Sequence, residues 1–131
     1  MNDLLPHANA FTRLGPSDID GIGVFALRKI PKGTNIFAND KLGIRWIDRT
    51  VIDTIDDPVI ADLYSKFAIR RGDQYGCPAN FNSMTVGWYL NEPPRGQAAN
   101  VVVDEDYSFI APRDIEPGEE LTVRYGDFSD V

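Results

Sequence analysis

Cysteine and histidine are almost absent from this chain of 131 residues. Cys77 is the single cysteine, which excludes an intramolecular disulfide framework and a cysteine-rich zinc cluster. His7 is the single histidine, so a serine–histidine–aspartate triad would depend on one residue of an ordinary polar tail. We therefore interpret Cys77 as an inert thiol and His7 as a solvated residue, and we expect no metal site.

Long apolar runs are absent as well. No segment approaches the roughly 18 apolar residues that cross a bilayer, and residues 1–6 lack the basic start and apolar centre of a secretory signal. A chain of 131 residues is long enough to bury a core as one domain. We expect a single domain over 1–131 with a loose lead-in over 1–10, in the cytoplasm or another intracellular compartment and away from membranes.

Basic residues are scarce near the C-terminus. Residues 101–131 hold nine acidic residues and two arginines, whereas residues 1–100 hold eleven of each sign, so the net charge of −7 (2 − 9) arises entirely in the last segment. A phosphate footprint needs clustered lysine and arginine, so we expect no direct contact with nucleic acid. The acidic segment favours a basic peptide partner, because opposite potentials speed encounter. Acidic side chains that only decorate solvated turns explain the imbalance equally well.

One eleven-residue pattern, A-x-R-x-I-x-x-G-x-x-[I/L], occurs twice. Ala26, Arg28, Ile30, Gly33 and Ile36 recur 85 positions later as Ala111, Arg113, Ile115, Gly118 and Leu121. Each copy follows an apolar stretch and has a proline before its glycine, a combination typical of tight turns because proline presets φ and glycine accepts positive φ. We interpret the copies as two similar β units built from the two ends of one domain. A solenoid would need at least three stacked repeats.

Elsewhere the sequence predicts short strands and one helix. Asp57 suits the N-cap and Pro58 the first position of a helix. Apolar residues then follow at helical spacing up to Phe67, which predicts a helical insert over 53–72 that ends near Arg70–Gly72. Strands are predicted over 11–14, 22–27, 34–38, 42–47, 51–52, 101–103, 107–110 and 120–125. The expected fold class is α+β, mostly β, with no βαβ alternation.

A glycine motif over 21–26 matches G-x-G-x-x-[G/A], the fingerprint of dinucleotide-binding folds, with Asp40 roughly where a ribose-binding acid stands. That fingerprint must follow a buried strand and open a helix. Here the preceding residues 15–20 resemble a turn, and Pro31 and Gly33 prevent a helix of useful length. The motif therefore does not indicate a dinucleotide site. Glycines leading into a strand can still let the backbone approach a ligand closely, because they lack a Cβ.

Three blocks of the sequence, in order along the chain, resemble the SET domain of protein lysine methyltransferases. They are Gly21-x-Gly23, Asn91 after the apolar run Trp88-Tyr89-Leu90, and the closing Glu119-Glu120-Leu121-Thr122-Val123-Arg124-Tyr125-Gly126. The resemblance spans residues 21–126 and is most specific in the last block. It implies a SET-type β-clip of short sheets with a knot-like crossing of the C-terminal segment, and S-adenosylmethionine as the cofactor.

The resemblance also implies roles for individual residues. Tyr125 takes the position of the catalytic tyrosine. The positions implied for cofactor binding are Gly21, Ile22, Gly23, Tyr89, Asn91 and Glu92, and those for the substrate channel are Tyr75, Tyr125 and Phe128. Asn100 stands at the closing asparagine of the middle block. Where the family has arginine and histidine in that block, this chain has Trp88, which we interpret as a core residue, and Glu92.

The implied reaction is methyl transfer to a neutral lysine of a basic protein or peptide, in which Tyr125 orients the amine. The alternative is a β-clip module that binds a peptide or protein partner without catalysis. Gly21, Gly23 and Tyr125 favour the enzyme, and Glu92 with the altered 91–100 stretch favours the binding module. Because cysteine-rich flanking modules are missing, a homodimer that completes the channel is a further expectation.

Overall fold

The computed structural model describes residues 5–40 and 43–130, which form short sheets, few helices and many turns. The strands are β1 (Thr12–Pro16), β2 (Ile22–Ala26), β3 (Arg45–Asp48), β4 (Ile69–Arg71), β5 (Gln74–Cys77), β6 (Val102–Val103), β7 (Phe109–Ile110) and β8 (Glu120–Leu121). The α-helices are α1 (Arg49–Ile52) and α2 (Pro58–Phe67), and single 3-10 turns occur at Phe81–Ser83, Val86–Tyr89 and Tyr125–Asp127. The predicted fold class is confirmed. Within the described ranges, none of the helices has the length and apolar character to cross a membrane.

Among the residues that the structure describes, the strands form two small antiparallel sheets and one strand pair. The first sheet has the order β1-β2-β8, with Val24 opposite Leu121, so strands from both ends of the domain meet in it. The second has the order β3-β5-β4, and β6 pairs with β7. Strands this short cannot form a stable core singly, so the sheets depend on packing against one another.

The two copies of the repeated pattern lie against each other as reciprocal partners. Ile30 and Ile115 exchange both backbone hydrogen bonds (2.8 and 2.9 Å). The N–H of Gly33 donates to the carbonyl of Ala111 (2.7 Å), and the N–H of Gly118 donates to that of Ala26 (2.8 Å). Equivalent positions therefore make equivalent bonds, and the two units form one pseudo-symmetric pair.

This pair supplies most of the hydrophobic core. Eight of the twelve residues in the main buried cluster are equivalent positions of the two copies or of the strand residues before them: Val24, Ala26, Ile30, Ile36, Phe109, Ala111, Ile115 and Leu121. Phe37, Leu90, Val101 and Val123 complete the cluster. The core thus spans the junction between the N-terminal and C-terminal halves, because neither copy can bury its apolar face alone.

The predicted helix begins as expected and ends early. The Asp57 side chain accepts a hydrogen bond from the N–H of Val59 (2.9 Å), and Pro58 opens α2. The helix ends at Phe67, and the residues predicted to close it form β4 and the turn to β5 instead. The predicted apolar stripe is also only partly packed, because Val59 and Ile60 are 75% and 46% exposed.

Several other predicted elements differ from the observed ones. Residues 34–38 form a turn with a single bridge from Asn35 to Ile110, because the chain bends away after the first copy. Residues 51–52 belong to α1, whose N-cap Asp48 accepts from the N–H of Thr50. Strand β5 was not predicted, and the C-terminal strand extends only over Glu120–Leu121. Of the predicted strand 42–47, the first residue lies outside the described ranges.

Candidate active site

Tyr125 is held at both ends by one short segment of the chain. Its hydroxyl donates a hydrogen bond to the carbonyl oxygen of Leu90 (2.8 Å), and its backbone N–H donates to Oε1 of Glu92 (2.8 Å). Leu90 and Glu92 flank Asn91, so three consecutive residues determine where the tyrosine ring lies. The side chain remains 36% exposed and is therefore accessible.

The surroundings of Tyr125 keep its hydroxyl protonated. Burial raises the pKa of the Tyr125 phenol, and the negative charges of Glu92 and Asp20 raise it further. Because the ordinary pKa of tyrosine is already about 10, the phenol is neutral at physiological pH. With its hydrogen directed to Leu90, its oxygen retains lone pairs that can accept a hydrogen bond.

Asn91 connects the Tyr125 segment to the glycine loop. Its side chain is buried, and Nδ2 lies near the carbonyl oxygens of Asp20 (3.0 Å) and Ile22 (3.3 Å), as well as Oγ of Ser17 (3.2 Å) and Oε2 of Glu120 (3.0 Å). An amide has two hydrogens to donate, so this environment satisfies it completely. Asn91 therefore fixes the loop beside Tyr125.

The two loop glycines are required for different reasons. Gly21 has φ of +47°, and the position of an added Cβ faces open space. At Gly23 an added Cβ would lie 2.9 Å from Cδ of Glu120 and 3.0 Å from Cβ of Ser17. Gly23 thus allows the strand to approach a carboxylate of the protein itself. Between them, Ile22 presents an apolar side chain that is 52% exposed.

The segment that carries Tyr125 passes between the two ends of the 91–101 loop. On one edge, the N–H of Val123 donates to the carbonyl of Asn91 (3.0 Å). On the other edge, the N–H of Thr122 donates to Oδ1 of Asn100 (2.7 Å), and the N–H of Val101 donates to the carbonyl of Thr122 (3.0 Å). This arrangement corresponds to the knot-like crossing that the resemblance implies, and it delivers Tyr125 to the site.

A cavity of about 210 Å³ lies beside Tyr125. Its wall holds six aromatic side chains: Phe67, Trp88, Tyr107, Phe109, Tyr125 and Phe128. Trp88, predicted to be a core residue, is only partly buried and lines this wall. Its Nε1 atom is buried and has no hydrogen-bond partner among the described residues.

Phe128 is held in the cavity wall by the second sheet. Its ring lies 6.2 Å from the Tyr125 ring, centroid to centroid, in an edge-on arrangement. The carbonyl of Phe128 accepts from Nε of Arg71 (2.8 Å), and the N–H of Asp130 donates to the carbonyl of Arg70 (2.7 Å). The edge of β4 therefore sets the position of residues 128–130.

The remaining predicted site residues lie elsewhere. Tyr75 lies on β5 under the guanidinium of Arg70 (5.7 Å from the ring centroid) and is not part of the cavity wall. Tyr89 packs its ring on Phe67 (5.7 Å between centroids) and against the core. Within the described ranges, no group of three or more histidine, cysteine or acidic side chains could hold a metal ion.

Two structural residues of the site were not identified as such from the sequence. Oγ of Ser17 lies 2.8 Å from both carboxylate oxygens of Glu120, across 103 positions of the chain. Glu120 belongs to the conspicuous closing block, which could have drawn attention to it. Ser17 carries no comparable signal, since an ordinary Gly-Pro-Ser-Asp turn contains it.

Comparisons with known proteins address the family directly. A sequence profile described as the SET domain matches residues 21–126. A search of curated proteins finds no match.

Two solved structures share the fold. A chain of a humanized mutant of the Chaetomium thermophilum Polycomb Repressive Complex 2, bound to an inhibitor, aligns with a TM-score of 0.60 at 20% identity over 92% of this chain. This chain spans only 16% of the length of that one. A Plasmodium falciparum protein named as a candidate histone methyltransferase aligns with a TM-score of 0.57 at 17% identity, covering 89% of this chain and 94% of that one. These two structures agree with the fold, and the profile match over residues 21–126 shows that the chain belongs to the SET domain family.

Proposed function

We propose that this protein transfers a methyl group from S-adenosylmethionine to a lysine side chain of a protein substrate. The observation that carries the proposal is the placement of Tyr125. Its hydroxyl is held by Leu90 on the wall of an aromatic cavity, next to the segment that fixes the Gly21–Gly23 loop. In the proposal, the cavity takes the aliphatic part of the lysine, and the loop that Asn91 connects to the Tyr125 segment takes the cofactor.

The residues around the loop fit this cofactor chemically. S-adenosylmethionine carries a positively charged sulfur, and the carboxylates of Asp20 and Glu92 act on the same site through their charge, as their effect on the pKa of Tyr125 indicates. The open space at Gly21 and the exposed apolar side chain of Ile22 suit a partly apolar ligand. In the proposal, the loop over 21–23, Asn91 and Glu92 hold the cofactor, with Asn91 acting through its backbone and through the loop it fixes.

The chain's own groups orient the reaction. When bound, S-adenosylmethionine supplies an electrophilic methyl group on a sulfur that leaves with the C–S electron pair. A lysine amine has a pKa near 10.4 and must first lose its proton, which an apolar cavity promotes by disfavouring its charge. The Tyr125 oxygen accepts a hydrogen bond from the neutral amine and so directs its lone pair. Orientation of this kind can account for much of a rate enhancement, and no histidine is needed.

The cavity and the charge of the chain support a lysine-containing substrate. Aromatic walls pack well on the methylene groups of a lysine side chain. The acidic C-terminal segment favours a basic peptide around that lysine. The proposed partner is therefore a basic protein or peptide, while a homodimer remains a prediction.

One observation favours the second candidate, a binding module without catalysis. The Asn91 amide donates only to groups of the protein itself, so in this arrangement it offers no hydrogen to a cofactor. Glu92, which replaces the family's histidine, likewise has its Oε1 engaged by Tyr125. If Asn91 and Glu92 prevent the cofactor from binding at the loop, the protein would still bind a peptide but would not transfer a methyl group.

Titration calorimetry with S-adenosylmethionine separates the two candidates. We expect the wild-type protein to bind it in the micromolar range and to transfer labelled methyl groups to a library of basic single-lysine peptides. Tyr125→Phe removes the orienting hydroxyl, so we expect transfer to fall by roughly 100-fold or more while cofactor binding changes little.

Tyr64→Phe is the matched control, because Tyr64 does not line the cavity and packs edge-on against Phe81 (5.1 Å between centroids). It removes one hydroxyl and should leave transfer unchanged. No cofactor binding at millimolar concentration, combined with peptide binding, would replace the methyltransferase by the binding module. Unchanged transfer in Tyr125→Phe would refute the role of the tyrosine.

A further inference from the structure

The backbone N–H of Tyr125 depends on a distant side chain. Tyr125 opens a 3-10 turn whose preceding residue, Arg124, makes no capping hydrogen bond with its side chain, as expected for a cation that cannot accept one. Among the described residues, the Tyr125 N–H has no backbone acceptor, and it donates to Oε1 of Glu92 instead. Glu92 thus takes the role of an N-cap from 33 residues earlier in the chain.

We propose that Glu92 is a positioning residue for Tyr125: its carboxylate holds the tyrosine backbone from the same segment whose Leu90 carbonyl holds the hydroxyl. Two contacts at opposite ends of one residue define the direction of the ring. Without Glu92, the backbone of Tyr125 would keep only the hydrogen bonds that its carbonyl accepts from the N–H groups of Phe128 (3.2 Å) and Ser129 (2.9 Å). Its N–H would then have no acceptor, and the ring direction would be less well defined. The catalytic consequence rests on the proposed methyl transfer, whereas the positioning itself does not.

The negative charge of Glu92 gives this contact strength. A hydrogen bond to a charged acceptor contributes more than one between neutral groups. The next residue, Pro93, is buried and restricts the backbone of Glu92 to extended conformations. The glutamate is therefore itself presented by a rigid segment, as a positioning residue must be.

The charge of the Glu92 carboxylate also affects the pKa of the Tyr125 phenol, which can be measured. Glu92 and Asp20 are the two anions whose charge raises the pKa of Tyr125. The other charged or titratable side chains on the cavity wall are Lys66, Arg70, Tyr107 and Asp130. Replacing Glu92 by glutamine keeps an oxygen that can accept from Tyr125 and removes only the negative charge. The phenol pKa should then fall, because the phenolate is no longer repelled.

The experiment compares Glu92→Gln, Glu92→Ala and the exposed control Glu116→Gln. The pKa of Tyr125 is measured by titration of the tyrosine signals, with Tyr125→Phe to identify the signal, and kcat and KM are measured with the peptide library. We expect Glu92→Gln to lower the phenol pKa and, with S-adenosylmethionine at saturating concentration, to lose less than about tenfold in kcat. Glu92→Ala should lower kcat by roughly tenfold or more, since misplaced groups lose that much, without a matching change in KM. Glu116→Gln should change neither quantity.

Two results would overturn the proposal. One is an unchanged kcat and phenol pKa in Glu92→Ala. The other is an equal loss of kcat in Glu92→Gln and Glu92→Ala, which would assign the effect to charge rather than to the hydrogen bond. If Glu92→Ala does not fold, the glutamine variant still decides through its phenol pKa and kcat. Wild-type protein without cofactor binding or transfer would refute the proposed function. A phenol pKa that is unchanged in both Glu92 variants would then still refute the placement of the carboxylate beside Tyr125.

Discussion

The two copies of the repeated pattern have the same local structure and different consequences. Residues 26–36 and 111–121 make equivalent hydrogen bonds to each other and bury equivalent side chains. After Phe37 the chain turns away at the surface, whereas after Leu121 it stays extended between the ends of the 91–101 loop and reaches Tyr125. The shared part of the copies thus forms the core, and the candidate chemistry lies in the part that is not shared.

This difference separates stability from function within one domain. A pseudo-symmetric pair places equal demands on both copies, so its residues can be compared position by position. Of the two continuations, only that of the second copy reaches Tyr125. Changes in the shared positions should therefore alter folding, whereas Leu90 and Glu92 should still determine the orientation of Tyr125.

The largest expected effect comes from the centre of the pair. Ile30 and Ile115 are both fully buried, so Ile30→Ala and Ile115→Ala should each lower the free energy of unfolding by about 2–5 kcal/mol. Denaturant unfolding measures this. Because the two residues are in contact, the double variant should depart from the sum of the single effects.

The exposed residue Ile60 supplies the control, and Ile60→Ala should change stability by no more than about 0.5 kcal/mol. Unequal losses at Ile30 and Ile115 would break the equivalence of the two copies. Additive losses would contradict their direct contact.

A smaller effect is expected at the turn glycines. Gly33 and Gly118 have φ of +88° and +87°, and an added Cβ would meet nothing within 4 Å at either position. Gly33→Ala and Gly118→Ala should therefore each cost about 1–2 kcal/mol from backbone conformation alone, which thermal unfolding can measure. Gly87 has no positive φ and only ordinary contacts, so Gly87→Ala should be neutral or slightly stabilising. Different costs at the two turn glycines would show that the turns are not equivalent.

The smallest effect concerns a position where the copies differ in charge. Lys29 in the first copy is equivalent to Asp114 in the second, and the two form an ion pair (3.5 Å). Oδ1 of Asp114 also accepts from the N–H of Lys32 (2.8 Å), and this hydrogen bond, followed by the charge of Lys29, holds the pKa of Asp114 below its usual value.

A lowered pKa in the folded state adds stability above the pKa of the unfolded chain, near 3.8, and this stability is lost as the pH falls through the folded value. Asp114→Asn should thus be slightly less stable than wild type at pH 6–7, and the difference should vanish under acid conditions. Denaturant unfolding at several pH values measures it. Asp48 also has a lowered pKa and titrates in the same range, so only the difference between the two proteins is informative. A difference that does not depend on pH would exclude the charge as its cause.

Helices and strands with a clear local sequence signal, such as a capping residue or a proline-containing turn, could be predicted from the sequence. The start of α2 follows from Asp57 and Pro58, and β2 from its apolar residues before the proline-containing turn. Strands β4 and β5 escaped prediction because Ile69–Arg71 and Gln74–Cys77 have little periodicity. Only Gly72, with φ of +56° in the connecting turn, was a signal for this hairpin.

The candidate site was predictable only through its resemblance to a family. By residue type alone, Tyr125 is a tyrosine near a strand, and Asn91 a turn residue. The resemblance indicated both positions but not that the Asn91 amide serves the glycine loop, nor that Glu92 holds the backbone of Tyr125. These contacts join residues 33 to 71 positions apart, and local sequence patterns contain no information about such distances.

By itself the sequence determined the repeated units, their proline–glycine turns, the capped helix and the acidic C-terminal segment. These depend on dihedral preferences and on the spacing of apolar residues, which act over a few positions. Only the tertiary structure decided that the two units pair with each other and that the segment after the second one passes between Asn91 and Asn100 to present Tyr125. The reason is physical. Each unit has an apolar face that only its distant partner can bury. That burial brings the segment after Leu121 between the two ends of the 91–101 loop, and residues of this loop make hydrogen bonds to its backbone.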